Sequence, residues 1–329
     1  MTANKPTASV SLDLDNQWSY MKTHGDDGWQ TYPSYLDIVV PRVLEFLRQR
    51  QLHITFFVVG QDAALACNRD ALASLANSGH EIGNHSFHHE PWLHLYSPQQ
   101  IADELARAED HIVSATNYQP IGFRGPGFSL SEDVLNVLCQ RGYLYDASTF
   151  PTYIGPLARA YYFMSQGRQW TKSEREQRQK LFGGICDGFR PLKPYKWQLQ
   201  TGELLEIPVS TMPIFKIPIH LSYILYLGSF APALALQYFR TAVVLCRLTS
   251  TPLSLLLHPL DFLGKDDVSE LSFFPAMQLE HQRKLELVSQ ALDIMLQHFQ
   301  IRSMREHARE LLSSPKLGKQ KPRFANRDV

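Results

Sequence analysis

Short apolar runs alternate along this chain with stretches of helical periodicity, and that alternation constrains the fold more than any other feature. ASVSLDL (8–14) reads as a strand, and Leu36, Val40, Val43, Leu44 and Leu47 follow at helical spacing. ITFFVV (54–59) is a short unbroken apolar run, suited to a strand buried on both faces of a parallel sheet. A helical stretch over about 62–77 ends before Gly79, where a helix stop is expected. HEIGNH (80–85) is the third strand. Ile101, Leu105, Ala108 and Ile112 mark a helix that starts at Ser97-Pro98. IGFRG (121–125), YLYDA (143–147), LLEIPVS (204–210) and LSLLLH (253–258) are further strands, and a helix over about 277–298 precedes a last one, QIRSM. Such alternation predicts a parallel α/β architecture. Seven or so strands suit a (β/α) barrel better than a small open sheet, with an open doubly wound sheet as the alternative.

The 329 residues are 44% hydrophobic and 19% charged, enough to bury one large core. Basic and acidic residues balance at 32 each, which gives no general attraction to nucleic acid. Cys67, Cys139, Cys186 and Cys246 are far apart, so there is no paired-cysteine metal or redox motif and no disulfide framework. The opening MTANKPTASVSLDLDNQ lacks the apolar stretch of an export signal, and a cytoplasmic location is the expectation. Residues 1–7 read as a tail, 8–305 as one domain, and 306–329 as a basic disordered tail. An aromatic and basic insertion at about 150–200 has the character of a lid; its SEREQRQK (173–180) reads as a solvated helical face. The apolar segment 213–246 contains a stretch without formal charge, 217–239, interrupted by Pro218, Gly228 and Pro232. A buried or interfacial helix pair is expected there rather than a membrane span, with peripheral membrane contact as the accompanying expectation.

Clusters of reactive residues fall at the predicted strand ends, the edge where parallel barrels gather their chemistry. In SLDLDN, alternation along a strand puts Asp13 and Asp15 on one face, although two turn aspartates would look the same. In GNHSFHHEP, His85 and His89 are four apart, and on a helical turn that spacing aims two imidazoles at one point. His88 suits a slightly different turn, and the spacing alone leaves open which histidines are ligands, or whether the segment is a polar turn. FRGPGF (123–128) sets Arg124 before a Gly-Pro turn whose backbone N–H groups can face an oxyanion. His258 in LLLHP is placed either as a general acid or as a hydrogen-bonded core residue. Asp146 in YDAS ends a strand, or caps a helix.

The order of these clusters, from the Asp pair through HSFHH, FRGPGF and YDAS to LLLHP, resembles the polysaccharide deacetylase family (NodB homology, carbohydrate esterase family 4) over about residues 8–300. The resemblance implies an irregular (β/α)7-type barrel. It selects Asp15, His85 and His89 as ligands of one divalent metal, zinc in the first instance, with cobalt, nickel or iron also suited to the set. It implies Asp13 as general base, His258 as general acid, Arg124 as the group orienting Asp13, and Asp146 as a group tuning His258. Pro126 and Gly127 shape the oxyanion and substrate side. The implied reaction is removal of an N-acetyl or N-formyl group from an amino sugar in a polysaccharide, oligosaccharide or lipid-linked precursor. The chain departs from the family pattern in the Leu14 that separates its aspartates, in Gly127 where a bulky residue is common, and in lacking an evident tryptophan of the fourth motif. These departures and the missing export signal direct the expectation to an intracellular sugar-nucleotide, oligosaccharide or lipid-linked acceptor. A metal-independent cyclic-amide hydrolase of the allantoinase-like branch and a non-catalytic carbohydrate-binding protein are the competing readings.

Overall fold

A computed structural model describes residues 5–154 and 185–324. Its centre is β1 (Thr7–Asp13), buried along its whole length. On one side β1 pairs with β8 (Ser254–Leu257), and on the other with β2 (Thr55–Val58). Beyond β2 the ladder continues through β3 (Glu81–Asn84), β4 (Gly122–Phe123), β5 (Tyr145–Asp146) and β7 (Gly202–Glu206). All these pairings are parallel. β6 (Tyr195–Leu199) adds antiparallel to β7, β10 (Gly318–Gln320) lies parallel to β6, and β9 (Gln300–Arg302) pairs with the start of β1. The chain after β7 then leans back toward β8. The Ser210 N–H donates to the Ser254 carbonyl at 3.0 Å, and the Ser254 N–H to Ser210 Oγ at 2.7 Å. The sheet is thus an irregular barrel whose ladder stays open between β7 and β8.

Helices cover the outside. α1 (Gln17–His24) follows the β1 turn, and α2 (Leu36–Arg48) buries Leu36, Val40, Val43 and Leu47 of the stripe its sequence spacing predicts, with Val39 and Phe46 besides and Leu44 only half-buried. The expected helix at 62–77 is two helices, α3 (Gly60–Ala64) and α4 (Arg69–Asn77). Leu65 is extended between them, and the Asn68 side chain donates to the Asp62 carbonyl at 3.2 Å, drawing the chain into a turn. α5 (Pro98–Thr116) starts with a Ser97/Gln100 capping box. α6 (Glu132–Gln140), α7 (Leu221–Phe230), α8 (Pro232–Leu248), α9 (His281–His298) and α10 (Met304–Ser313) complete the layer.

The expected tail at 306–329 is corrected. Its first part is α10, whose Met304 and Ala308 are buried against Phe57, Tyr145 and Leu205, and β10 follows it onto the sheet. Net basic composition concealed an amphipathic helix. The insertion expected at 150–200, with its SEREQRQK helix, lies mostly outside the described residues, and its C-terminal end is strand β6. The uncharged stretch 217–239 forms the helix pair α7–α8, broken at Ala231-Pro232, and no described helix is long and apolar enough to cross a membrane.

Candidate active site

Asp13, Asp15, His85, Arg124, Asp146 and His258 stand together on the barrel edge formed by the C-terminal ends of the strands. Leu12 is registered opposite Leu257, so Asp13 and His258 leave adjacent strands. The strand that carries His258 is distant from β1 in sequence and its neighbour in the sheet.

The turn after β1 is held rigidly. The Tyr35 hydroxyl donates to the Asp15 carbonyl at 2.5 Å. Asn16 Nδ2 donates to Asp62 Oδ1 at 2.7 Å, and the Trp18 indole N–H donates to the same oxygen at 2.9 Å. Burial pushes the Asp62 carboxyl up to about 7 against these hydrogen bonds. Asp62 and Trp18 give no signal in the sequence, since their role exists only once the turn after β1 meets α3.

His85 and His89 meet Asp15 without a helical turn, which corrects that expectation. Ser86 and His89 take left-handed backbone conformations, φ 60° and 53°, so the segment is a loop. Such strain, about 1–2 kcal/mol per residue, is held by surrounding bonds. The Gly60 and Gln61 N–H groups donate to the carbonyls of Ser86 and Phe87, and Glu104 Oε1 accepts the N–H groups of Phe87 and His88 at 3.0 and 2.6 Å. His88 turns away to pair with Glu104 Oε2 at 2.7 Å.

Asp15 Oδ1 lies 3.3 Å from His85 Nε2 and 2.9 Å from His89 Nε2. Asp15 Oδ1 and both ring nitrogens of His89 are buried and have no hydrogen-bond partner. His85 Nδ1–H donates to the Arg124 carbonyl at 2.6 Å, which leaves Nε2 as a lone pair turned to Asp15. Two imidazole nitrogens and one carboxylate oxygen converge here, those of His89 and Asp15 orphaned, and the donor set fits a divalent cation. Burial raises the Asp15 pKa, but the facing imidazoles, His89 foremost, outweigh it and hold the carboxyl well below its usual range.

Arg124 is wholly buried. Its Nη1 donates to Asp13 Oδ1 at 2.6 Å and Ser11 Oγ at 2.8 Å, its Nε donates to the Ala147 carbonyl at 2.9 Å, and its guanidinium lies over Phe57. One carboxylate oxygen of Asp13 is therefore fixed in direction. Pro126 is buried and Gly127 has φ +57°; a Cβ on Gly127 would stand 3.2 Å from the Pro91 side chain, so this turn closes directly on the histidine loop.

His258 follows β8, and its bonded partners are Ser222 and Asp261. Asp146 instead accepts from Ser148 Oγ at 2.6 Å and bonds Glu206, whose carboxyl is pushed well above its usual range by burial and by the Asp146 charge. The described contacts do not bring Asp146 to His258. Burial raises the pKa of Tyr20, and the charges of Asp15, Tyr35, Asp261 and Asp13 raise it further.

This parallel-rich irregular barrel, with an Asp/His/His cluster and a buried Asp–Arg pair on its C-terminal edge, defines an α/β protein of the NodB-barrel class. Residues 24–145 match the family model described as polysaccharide deacetylase. The matched stretch contains His85, His89 and Arg124; Asp13, Asp15 and His258 lie outside it. The chain is 24% identical over 174 residues to a peptidoglycan deacetylase of Helicobacter pylori, covering 53% of each protein. It is 28% identical over 145 residues to a peptidoglycan-N-acetylglucosamine deacetylase of Bacillus cereus, covering 42% of this chain and 61% of that one. The alignments thus span between half and two thirds of these relatives. A Mycobacterium smegmatis structure assigned to the polysaccharide deacetylases superposes with a TM-score of 0.65 at 18% identity, over 100% of this chain and 97% of that one, and shares the fold.

Proposed function

We propose that this protein hydrolyses the N-acetyl, or N-formyl, group of an amino sugar, using one divalent metal held by Asp15, His85 and His89. Zinc suits two imidazoles and a carboxylate, and cobalt, nickel or iron suit them too. The observation that carries the reading is the convergent Asp15–His85–His89 trio, with Asp15 Oδ1 and the His89 ring nitrogens orphaned, beside the Asp13–Arg124 pair. When bound, the metal supplies Lewis acidity to the acyl carbonyl and lowers the pKa of water at the site. Asp13, oriented by Arg124, takes the proton of the attacking water. The turn at Pro126-Gly127 offers backbone N–H to the developing oxyanion. His258 gives a proton to the departing amine as the C–N bond breaks, releasing the acid and the free amino sugar.

The names of the curated relatives favour a peptidoglycan-like polymer, whereas a glycine at position 127 in place of a bulky residue favours a smaller or lipid-linked acceptor. Ile214, Phe215, Phe230 and Leu234 are exposed, which supports peripheral membrane contact through 213–246; co-sedimentation with anionic vesicles, lost on Phe230→Ser with Leu234→Ser, tests it.

The deciding experiment is turnover of N-acetylglucosamine oligomers, peptidoglycan and lipid-linked N-acyl sugars by zinc- and cobalt-loaded protein. Asp13→Asn should retain metal and lose at least about a hundredfold in kcat. Normal turnover by that variant would remove Asp13 as the base. Activity surviving complete chelation would favour a metal-independent cyclic-amide hydrolase, and sugar binding without turnover a carbohydrate-binding role.

A further inference from the structure

We propose that Ser222 and Asp261 form a relay that orients His258 and holds the proton on its Nδ1, the role expected of Asp146; this rests on the reading of His258 as the acid. Asp261 follows His258 by three residues and is buried. Its Oδ2 accepts the His258 backbone N–H at 2.8 Å, and its Oδ1 accepts the Ser222 hydroxyl at 2.8 Å. Both Asp261 oxygens therefore act as acceptors, the pattern of a carboxylate. Ser222 Oγ has given its only hydrogen to Asp261, so across the 3.1 Å to His258 Nδ1 it can only accept. The hydrogen in that contact belongs to the imidazole. His258 is thereby held as the Nδ1–H tautomer, with Nε2 the nitrogen left to carry the proton passed to substrate. When Nε2 gives that proton up, Nδ1 keeps its own, and no further rearrangement is needed.

The charged and titratable neighbours agree with this arrangement. Lys284 of α9 donates to the Leu260 carbonyl at 2.8 Å, and burial lowers its pKa to about 8 while the charge of Asp261 opposes the fall. Burial holds the Asp261 carboxyl above its usual range, although His258, its backbone N–H, Ser222 and Lys284 all act to lower it. His220, whose ring centroid is 6.0 Å from that of His258, is held well below its usual range by burial and then by His258, so it presents a neutral ring. Tyr20 is neutral as well, since burial raises its pKa. Asp146 is engaged with Ser148 and Glu206.

The test compares Ser222→Ala, Asp261→Asn and the hydroxyl-retaining Ser222→Thr in zinc-loaded protein. It follows the His258 ring nitrogens by 15N NMR titration and the pH dependence of kcat. A general acid works while protonated, so activity falls as pH rises through its pKa. Loss of the relay moves that fall to lower pH. In Ser222→Ala we expect the His258 titration and the alkaline limb to drop together by about one pH unit. We also expect kcat to fall roughly tenfold with KM within twofold, unchanged zinc content, and recovery in Ser222→Thr. Asp261→Asn also removes a backbone cap and can unfold the loop, so Ser222→Ala decides. An unmoved His258 titration in soluble, zinc-loaded Ser222→Ala overturns the relay. A moved titration with unchanged turnover upholds the relay and overturns His258 as the acid.

Discussion

At the scale of single residues, three histidines within five positions have separate fates. His85 and His89 aim Nε2 at Asp15, whereas His88 leaves the loop toward Glu104 and is 43% exposed at its side chain. His88→Ala should therefore retain a full equivalent of zinc by atomic emission, and His85→Ala or His89→Ala should lose most of it. Zinc lost equally from all three would mean that the loop, not the ligand set, governs binding. The groups at this edge were legible because each ends a strand in a short distinctive string: SLDLDN, HSFHH, FRG, LLLHP. The partners that aim them were not. Ser222 is one serine in an apolar helix, and Asp62 and Glu104 lie in unremarkable helical sequence. Their meaning arises only from the packing of α7, α3 and α5 onto the edge. The partner of Asp146 was hidden for the same reason: its strand-end position was evident, but Glu206 comes from β7.

At the scale of elements, α5 holds the histidine loop through one side chain. Glu104 is buried and accepts two backbone N–H groups from the loop as well as His88 Nδ1. Burial alone would raise its pKa, but the hydrogen bonds and charge of His88 outweigh this, and the carboxyl is held below its ordinary 4.5. A depressed carboxyl contributes stability that is complete above its unfolded pKa and is lost as pH falls through the folded value. Acid unfolding should thus begin to draw on Glu104 below about 4.5. Glu104→Gln should flatten stability against pH in that acid range, lower stability at neutral pH by about 1–2 kcal/mol, and weaken zinc binding roughly tenfold. Urea melts at several pH values and competitive zinc titration read these effects. Equal pH slopes for wild type and variant would assign the acid sensitivity elsewhere. The long elements were legible because periodicity marks them. The two-residue strands β4 and β5 were found only through their distinctive ends, and β6 and β10 carry the polar sequences YKWQL and GKQ, which no apolar pattern marks.

At the scale of the whole molecule, the end of the barrel opposite the reactive edge is closed by α10, which begins at the expected domain end and runs on into the segment that composition assigned to a tail. The Met304 N–H donates to Thr55 Oγ1 at 2.8 Å, and the Arg305 N–H donates to Glu81 Oε2 at 2.7 Å. Thr55 and Tyr145 also donate to Glu81, a carboxyl that burial raises above its usual range. Met304 additionally places its sulfur 3.7 Å from Arg124 Nη2, so the plug touches the residue that orients Asp13. A chain ending at Ser303 would remove a backbone donor from buried Glu81 and open an apolar hole beneath Phe57 and Tyr145. Each of these losses costs about 2–4 kcal/mol, a large part of the 5–15 kcal/mol that holds a typical domain together. We expect that truncation to give insoluble protein, or protein without a cooperative thermal transition. A chain ending at Ser314 loses the exposed β10 edge, the partly buried Leu317 and the Phe324 ring beside Trp197, and keeps α10. It should melt within a few degrees of the full chain and keep its zinc. Circular dichroism melts of the two truncations, with zinc content beside them, separate a C-terminal plug that is part of the fold from a dispensable extension. Equal stability in both would show that the barrel closes without α10.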